Sequence, residues 1–306
     1  MYIRQLEYLI ALSRTGHFGQ AAEQCSVSQS GLSNAISQLE DELQTPIVLR
    51  HRRFRGFTTE GLRVVNWAQR LVADRNAMLQ EISMLNRNIT GCLRIGAMPT
   101  CSPILPFITR YFAQIHTTIQ VKISFLGVEE LRTKLLNFEL DAGVGYLNPN
   151  EAGTIAARPL YQEQLGLLVP HDPSFPSADS LTWKQAAELP LCLLPGEMEE
   201  RRAIDTAFAA AGVTPMPRVE SDSMVSLAFH VMHGGFASIM PWHFSHVSGA
   251  FPGTRMIHLD SPKIVRQVGL LWVASEPILP LVRALHETLD QMEADGTLLK
   301  LARPGP

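Results

Sequence analysis

Seven short polar side chains crowd one stretch of the chain: Ser28, Gln29, Ser30, Ser33, Asn34, Ser37 and Gln38 lie at helical spacing and carry no charge. Uncharged donors and acceptors in that arrangement match the edges that bases present in a major groove. Just beyond them Arg50, Arg52, Arg53 and Arg55 cluster within IVLRHRRFRGFTT. Arginines beside such a face supply phosphate contacts that fix register without reading sequence. A polar helix face alone suits plain solvent exposure equally well; the adjoining arginines favour double-stranded DNA as the partner. A second chemically capable group is Met98-Pro99-Thr100-Cys101-Ser102-Pro103. Ser102 as N-cap with Pro103 at the first helical position predicts a helix start, and free N–H groups beside the Thr100 hydroxyl would suit an anion. The alternative is that Ser102 merely caps its helix and Thr100 bonds locally.

The elements that must position these groups follow from apolar spacing. In FGQAAEQCSVSQSGLSNAISQL, apolar residues at Ala21, Ala22, Cys25, Val27, Leu32, Ala35, Ile36 and Leu39 predict two short helices separated by a tight turn. Ser28 is the predicted N-cap of the second. A helix over Ile3 to Arg14, apolar at Leu6, Leu9 and Ile10, supports the pair, and the arginine stretch reads as a hairpin-like wing. From Thr59 to about Asn88 a long helix carries the rows Val65, Val72, Leu79, Asn86 and Ala68, Arg75, Ile82, Ile89, with Val64, Leu71, Met78, Leu85 alongside. A stripe that wide predicts a dimerisation helix, against the alternative of packing onto its own domain. Thr90-Gly91 mark the domain boundary.

AAEQCSVSQSGLSNAISQLEDEL followed by RHRRFRGFTTEG resembles the amino-terminal signature of the LysR-type bacterial transcriptional regulators. The likeness is close over residues 1 to about 61 and extends over the remainder by length and strand-helix order. Gly31 stands where an alanine is usual in that family, costing helix propensity by about 1 kcal/mol. Gln44 and Ile47-Val48 stand where glycine and leucine-phenylalanine are frequent. The resemblance implies an α/β protein with a winged helix-turn-helix over 1–58, a linker helix over 59–90 and an effector-binding domain over 91–306. That last domain would resemble a periplasmic binding protein, with one subdomain from 91–161 and 268–306 and another from 162–267. The resemblance further implies a homodimer or homotetramer, activator-type regulation, contact with RNA polymerase, and a small metabolite, often an organic acid, held at the loop after the first strand.

Beyond Gly91 the pattern alternates: strands at Leu93 to Ala97, Gln120 to Phe125 and Asp141 to Leu147, with helices from Pro103 and over Val128 to Phe138. A second set begins near Glu163, includes a capping box at Thr182 to Gln185, and contains PLCLL, a helix over Met198 to Ala211, a helix from Ser223 and FASIMP. VGLLWVAS and a helix over Ile278 to Met292 close the chain. Alternation of this kind predicts a parallel sheet, with ligands at the loops that follow the strands. The candidate effector residues are Pro99, Thr100, Cys101, Ser102, Gly127, Gly145, Met198, Asp222 and Met240. Pro99, Cys101, Met198 and Met240 would leave a small apolar space, favouring a compact carboxylate over a sugar or nucleotide. A likeness to regulators found beside formate dehydrogenase genes makes formate one candidate.

Composition bounds the rest. The 306 residues are 46% hydrophobic and 18% charged with net charge −3, ordinary for globular domains with a good core. Residues 1–60 hold six arginines and six acidic residues, so DNA affinity must come from charge placement and a dimer rather than net charge. Neither an export signal nor a run of 18 apolar residues is read in the sequence, and a cytoplasmic location is expected. Cys25, Cys92, Cys101 and Cys192 lack C-x-x-C spacing, and neither His230 with His233 nor His243 with His246 has acidic or thiol company, so no metal or cofactor is expected. G-x-S-x-G, H-E-x-x-H and Walker-type loops are missing, which argues against an enzyme. Two alternatives remain: a redox sensor using Cys101, with Cys92 and Cys192 read as core, and a non-catalytic solute-binding module, which the first 90 residues disfavour.

Overall fold

The computed structural model describes every residue except 51–53, 86–90, 149–152, 247–250, 261 and 299–306. The chain forms two compact units, Met1–Gly91 with Asn137–Glu139 and Cys92–Leu136 with Leu140–Pro306.

The first unit comprises α1 (Ile3–Thr15), α2 (Phe18–Gln24), α3 (Gln29–Leu43), the antiparallel pair β1 (Val48–Arg50) and β2 (Phe54–Phe57), and α4 (Thr59–Leu85). Leu6, Leu9, Leu12, Ala21, Ala22, Leu32, Ile36 and Leu39 form its centre. Small alanines on α2 let α3 approach, as the spacing predicts. Between them Ser26 takes a left-handed φ of 54°, and the Val27 N–H closes the turn on the Ala22 carbonyl at 3.0 Å. Ser28 Oγ accepts the Gly31 N–H at 3.1 Å, the predicted cap. Glu40 then ties α3 to the wing, since its Oε1 accepts the N–H groups of Ile47 at 2.8 Å and Val48 at 3.0 Å. Gly61 has a packing reason to be glycine: a Cβ there would lie 2.0 Å from the Ile47 carbonyl oxygen.

Along α4 the apolar rows split in purpose. Val65 and Ala68 are buried in the unit's own core, whereas Leu71, Met78, Leu79 and Ile82 stand exposed. The predicted continuation through Asn86 to Ile89, and the side chain of Leu85, lie outside the described residues.

The second unit runs β3 (Gly91–Ala97), a 3-10 turn (Pro99–Cys101), α5 (Leu105–Ile115), β4 (Ile119–Phe125), α6 (Val128–Leu136), β5 (Ala142–Tyr146) and β6 (Ile155–Pro170). It continues with β7 (Ser180–Leu181), α7 (Trp183–Ala187), β8 (Cys192–Leu193), α8 (Glu199–Ala210), β9 (Val219–Glu220), α9 (Met224–Gly234) and β10 (Ser238–Pro241). A 3-10 turn (Trp242–His246), β11 (Thr254–Leu259), β12 (Val265–Val273) and α10 (Pro280–Ala294) complete it. The main sheet has the order β4-β3-β5-β12-β6-β11-β7, with β10 also on β6.

That sheet is mixed, not parallel throughout. β3 and β5 are parallel, but β12 is antiparallel to both β5 and β6, and β10 and β11 are antiparallel to β6. The 16-residue β6 explains the mixture. Up to Gln164 it pairs with β12, and from Leu165 it pairs with β10 and β11, so one strand serves both halves of the unit. Gly166, at that handover, has no room for a Cβ, which would meet Trp242 Cε3 at 2.6 Å. Beyond it Leu167, Val169, Ile239 and Ile257 pack with Trp183 and Phe208 on one side of the sheet, and Leu168 and Met240 with Leu227 and Val231 on the other.

The start of α5 corrects the sequence expectation. Ser102 is not an N-cap; it ends the 3-10 turn in right-handed helical geometry, and α5 begins at Leu105. Pro99, with φ already restricted, starts a turn before Pro103 can. The N–H groups of Cys101, Ser102 and Ile104 are therefore spent on the carbonyls of Met98, Pro99 and Cys101. The helix-start anion nest expected there does not form.

Candidate functional site

Two surfaces carry chemistry. On the first unit, Ser28, Gln29, Ser30, Asn34 and Gln38 are exposed along α3, with Ser33 and Ser37 half-buried. Ser37 Oγ donates to the Ser33 carbonyl at 3.1 Å, and Ser28 is occupied as the cap, so Gln29, Ser30, Asn34 and Gln38 are the side chains best placed to turn outward. Arg55 is exposed on β2. The Arg50 side chain, and Arg52 and Arg53 entirely, lie outside the described residues.

The second surface is internal. β6 and β12 pair so that Glu163 faces Arg266 directly across the strands, which places both side chains on one side of the sheet. The Arg266 guanidinium lies 3.4 Å above the Tyr146 ring, a cation–π stack, and pairs with Glu199 at the start of α8. Tyr146 donates its hydroxyl proton to Glu163 Oε1 and lies 3.3 Å from Thr100 Oγ1. His243 Nε2 is 3.0 Å from the Thr100 carbonyl. Beside Thr100, Tyr146 and Arg266 is a small cavity of about 10 Å³, lined also by Leu194, Glu200, Ile204 and Met224 among others; Glu163 adjoins it through Tyr146. That is room for a single water.

Burial governs the charge states. Glu163, 1% exposed, has its carboxyl pushed up to about 8 by loss of solvent, against the pull of the Tyr146 hydroxyl and of Arg266. Burial also raises Glu200. The Tyr146 and Tyr161 phenols are held well above their usual range, chiefly by burial. The Cys101 thiol is pushed strongly upward by burial and then by the negative charge of Glu163. Glu163 Oε2, Glu200 Oε1 and Arg266 Nη1 are buried without a hydrogen-bond partner among the described residues. Unmet buried polar atoms are costly.

Of the expected effector residues, Thr100 lines this cavity. Gly145 belongs to neighbouring β5, where a Cβ would press on Met98 Sδ at 3.1 Å. Cys101 is wholly buried, Met240 is buried in the core under α9, and Met198 packs half-buried against that core. Pro99 and Ser102 are half-buried in the turn, while Gly127 and Asp222 are exposed; none of these four lines the cavity. Tyr146, Glu163, Glu200 and Arg266 escaped the sequence reading. The one available signal was charge inside strand-like runs, Glu163 in LYQEQLGLL and Arg266 in VRQVGLL.

A helix-turn-helix with a wing, and a separate α/β unit enclosing a small cavity beside buried charged groups, suit a DNA-binding regulator with a built-in ligand-binding domain. Residues 3–62 match the model of the bacterial regulatory helix-turn-helix protein, lysR family, and residues 86–293 match the LysR substrate binding domain. The chain belongs to the LysR family of DNA-binding transcriptional regulators. It is 29% identical over 289 residues to the hydrogen peroxide-inducible genes activator of Haemophilus influenzae, covering 91% of this chain and 92% of that protein. It is 26% identical over 305 residues to the DNA-binding transcriptional dual regulator OxyR of Escherichia coli, covering 99% of each. Full-length OxyR from Pseudomonas aeruginosa, with a cysteine-to-aspartate substitution, superposes with a TM-score of 0.74 at 26% identity, covering 99% of this chain and 97% of that one. The regulator CbnR in complex with its target DNA shares the fold, with a TM-score of 0.64 at 20% identity over 95% of this chain and 99% of that one. No helix among the described residues is long and apolar enough to cross a membrane.

Proposed function

We propose that this regulator grips promoter DNA through α3 and the wing, as a homodimer or homotetramer joined along the exposed stripe of α4. A small molecule seated at Thr100, beside Tyr146 and α8, changes that grip and thereby the contact with RNA polymerase. Gln29, Ser30, Ser33 and Asn34 read bases, and Arg50, Arg52, Arg53 and Arg55 hold phosphates. The observation that carries the sensing half is the set of buried polar atoms left unmatched around the cavity, on Glu163, Glu200 and Arg266. Such a set is what a bound polar molecule would complete.

Thiol sensing through Cys101, an alternative the peroxide-inducible relatives also suggest, fits poorly. A sensor cysteine needs thiolate character and access. Cys101 and Cys192 are fully buried, and burial pushes the Cys192 thiol up to about 11 and Cys101 further. Formate finds no support either, since the matched relatives include peroxide-inducible genes activators. Calorimetry of the full chain and of Thr100→Val against panels of small acids and amines tests the reading. Binding to the wild type that weakens at least tenfold in Thr100→Val supports it; binding that Thr100→Val leaves unchanged places the effector elsewhere.

A further inference from the structure

The chain passes between the two halves of the second unit twice, at Gln164–Leu165 of β6 and again between β11 and the start of β12. Gln164 and Val265 are cross-strand partners, so the two crossings lie side by side. Paired crossings of this kind leave two halves free to swing about them, as hinged domains do. The cavity at Thr100 lies on that boundary. Thr100, Tyr146 and Arg266 come from the first half, and Leu194, Ala203, Ile204 and Met224 from the second. With room for a single water, it marks two halves shut against each other.

Polar contacts that span the boundary include His243 Nε2 to the Thr100 carbonyl at 3.0 Å and the ion pair of Arg266 with Glu199. Arg266 is anchored on the first half independently of its partner. Its guanidinium lies 3.4 Å above the Tyr146 ring while a terminal nitrogen meets Glu199, the first residue of α8. A planar guanidinium can stack with its face and pair with its edge at once, which a lysine ammonium cannot. The Arg266 side chain is 19% exposed and that of Glu199 39%, so water reaches the pair and it can part without stranding a charge in the core. Closure meanwhile leaves Arg266 Nη1 and Glu200 Oε1 buried without a hydrogen-bond partner among the described residues, a cost that opening to water relieves. The pair and the apolar walls hold the closed form and the unmet atoms oppose it, the balance a two-state element needs.

We infer that Arg266 and Glu199 form a latch that keeps the two halves closed, and that α8 swings away from β12 when the pair parts while the guanidinium stays on Tyr146. The latch stands on this geometry alone. That its parting admits the effector rests on the cavity at Thr100 being the effector site, since the closed form holds no more than a water.

The test measures opening without any ligand. Met224 lines the cavity from α9 at 5% exposure, so in full-length Met224→Cys the rate at which a neutral alkylating reagent modifies position 224 reports opening. Native Cys192, fully buried in the core of the same half, reports unfolding in the same sample, and peptide mass spectrometry separates the two. Adding Glu199→Gln should speed modification at position 224 at least fivefold and leave Cys192 unchanged. Arg266→Gln should match it, and both substitutions together should be no faster than the quicker one alone, because each removes the same contact. Leu194→Cys, on the cavity wall at 2% exposure, repeats the measurement if Met224→Cys does not fold. An unchanged rate at the cavity in Glu199→Gln, a rate at Cys192 that rises in step with it, or effects of the two substitutions that multiply would each overturn the latch. A failed latch leaves the effector site where it is, because that reading is decided by the calorimetry of Thr100→Val.

Discussion

Replacing Glu163 by glutamine should make the protein's stability less sensitive to pH, and the structure sets the scale. Gln keeps an acceptor for the Tyr146 hydroxyl but has no proton to lose. In the folded chain the Glu163 carboxyl titrates at about 8 against an ordinary 4.5, which corresponds to an upper bound on the order of 5 kcal/mol. The sign follows from the raised folded value. Below about pH 4.5 both states hold the proton, and Glu163 contributes its full share of stability. As pH rises the unfolded chain ionises first, and the contribution is progressively lost until the folded carboxyl ionises near 8. Denaturant titrations of wild type and Glu163→Gln at pH 5, 6.5 and 8 should show the variant gaining on wild type by about 1.4 kcal/mol per pH unit at most. A difference between the two that is flat across that range would refute the buried, raised carboxyl.

Other consequences are simpler to read. Gly61→Ala should destabilise the first unit by about 1–3 kcal/mol, because the added Cβ collides with backbone that cannot rotate away; thermal unfolding of the full chain measures it, and an unchanged midpoint would contradict the close approach to Ile47. Leu79→Glu, at a position 46% exposed on α4, should leave the fold intact and reduce the sedimenting mass, since a carboxylate in the seam would be buried unpaired; an unchanged mass returns that stripe to solvent.

The helix-turn-helix was legible because its signals are local. The apolar spacing of α2 and α3, the Ser28 cap and the Thr182–Gln185 capping box all appear in the structure as their residues predict. The start of α5 was misread because two prolines compete within a few residues, and Pro99 forms the earlier turn. The all-parallel sheet was misread because alternation of strands and helices says nothing about a strand long enough to serve both halves. Ile155 to Gln162 carries Pro159 and Arg158 and lacks a clean alternation, so the first half of β6 gave no strand signal, and the short β11, with Arg255 and His258 among its apolar residues, was not read either. The cavity was hidden for a further reason. Glu163, Glu200 and Arg266 are far apart in sequence, and each alone reads as a solvated charge; the β6–β12 register brings Glu163 opposite Arg266, and the ion pair to Glu199 brings the start of α8 beside them.

The claim on which all else depends is that α3 reads DNA. Binding titrations of wild type, Asn34→Ala and Arg55→Ala on the regulator's own promoter duplex and on a random duplex test it most directly. Asn34→Ala should lose about 1–3 kcal/mol of discrimination between the duplexes, while Arg55→Ala should weaken both nearly equally. Equal losses on both duplexes for Asn34→Ala would contradict the assignment of α3 as the recognition helix.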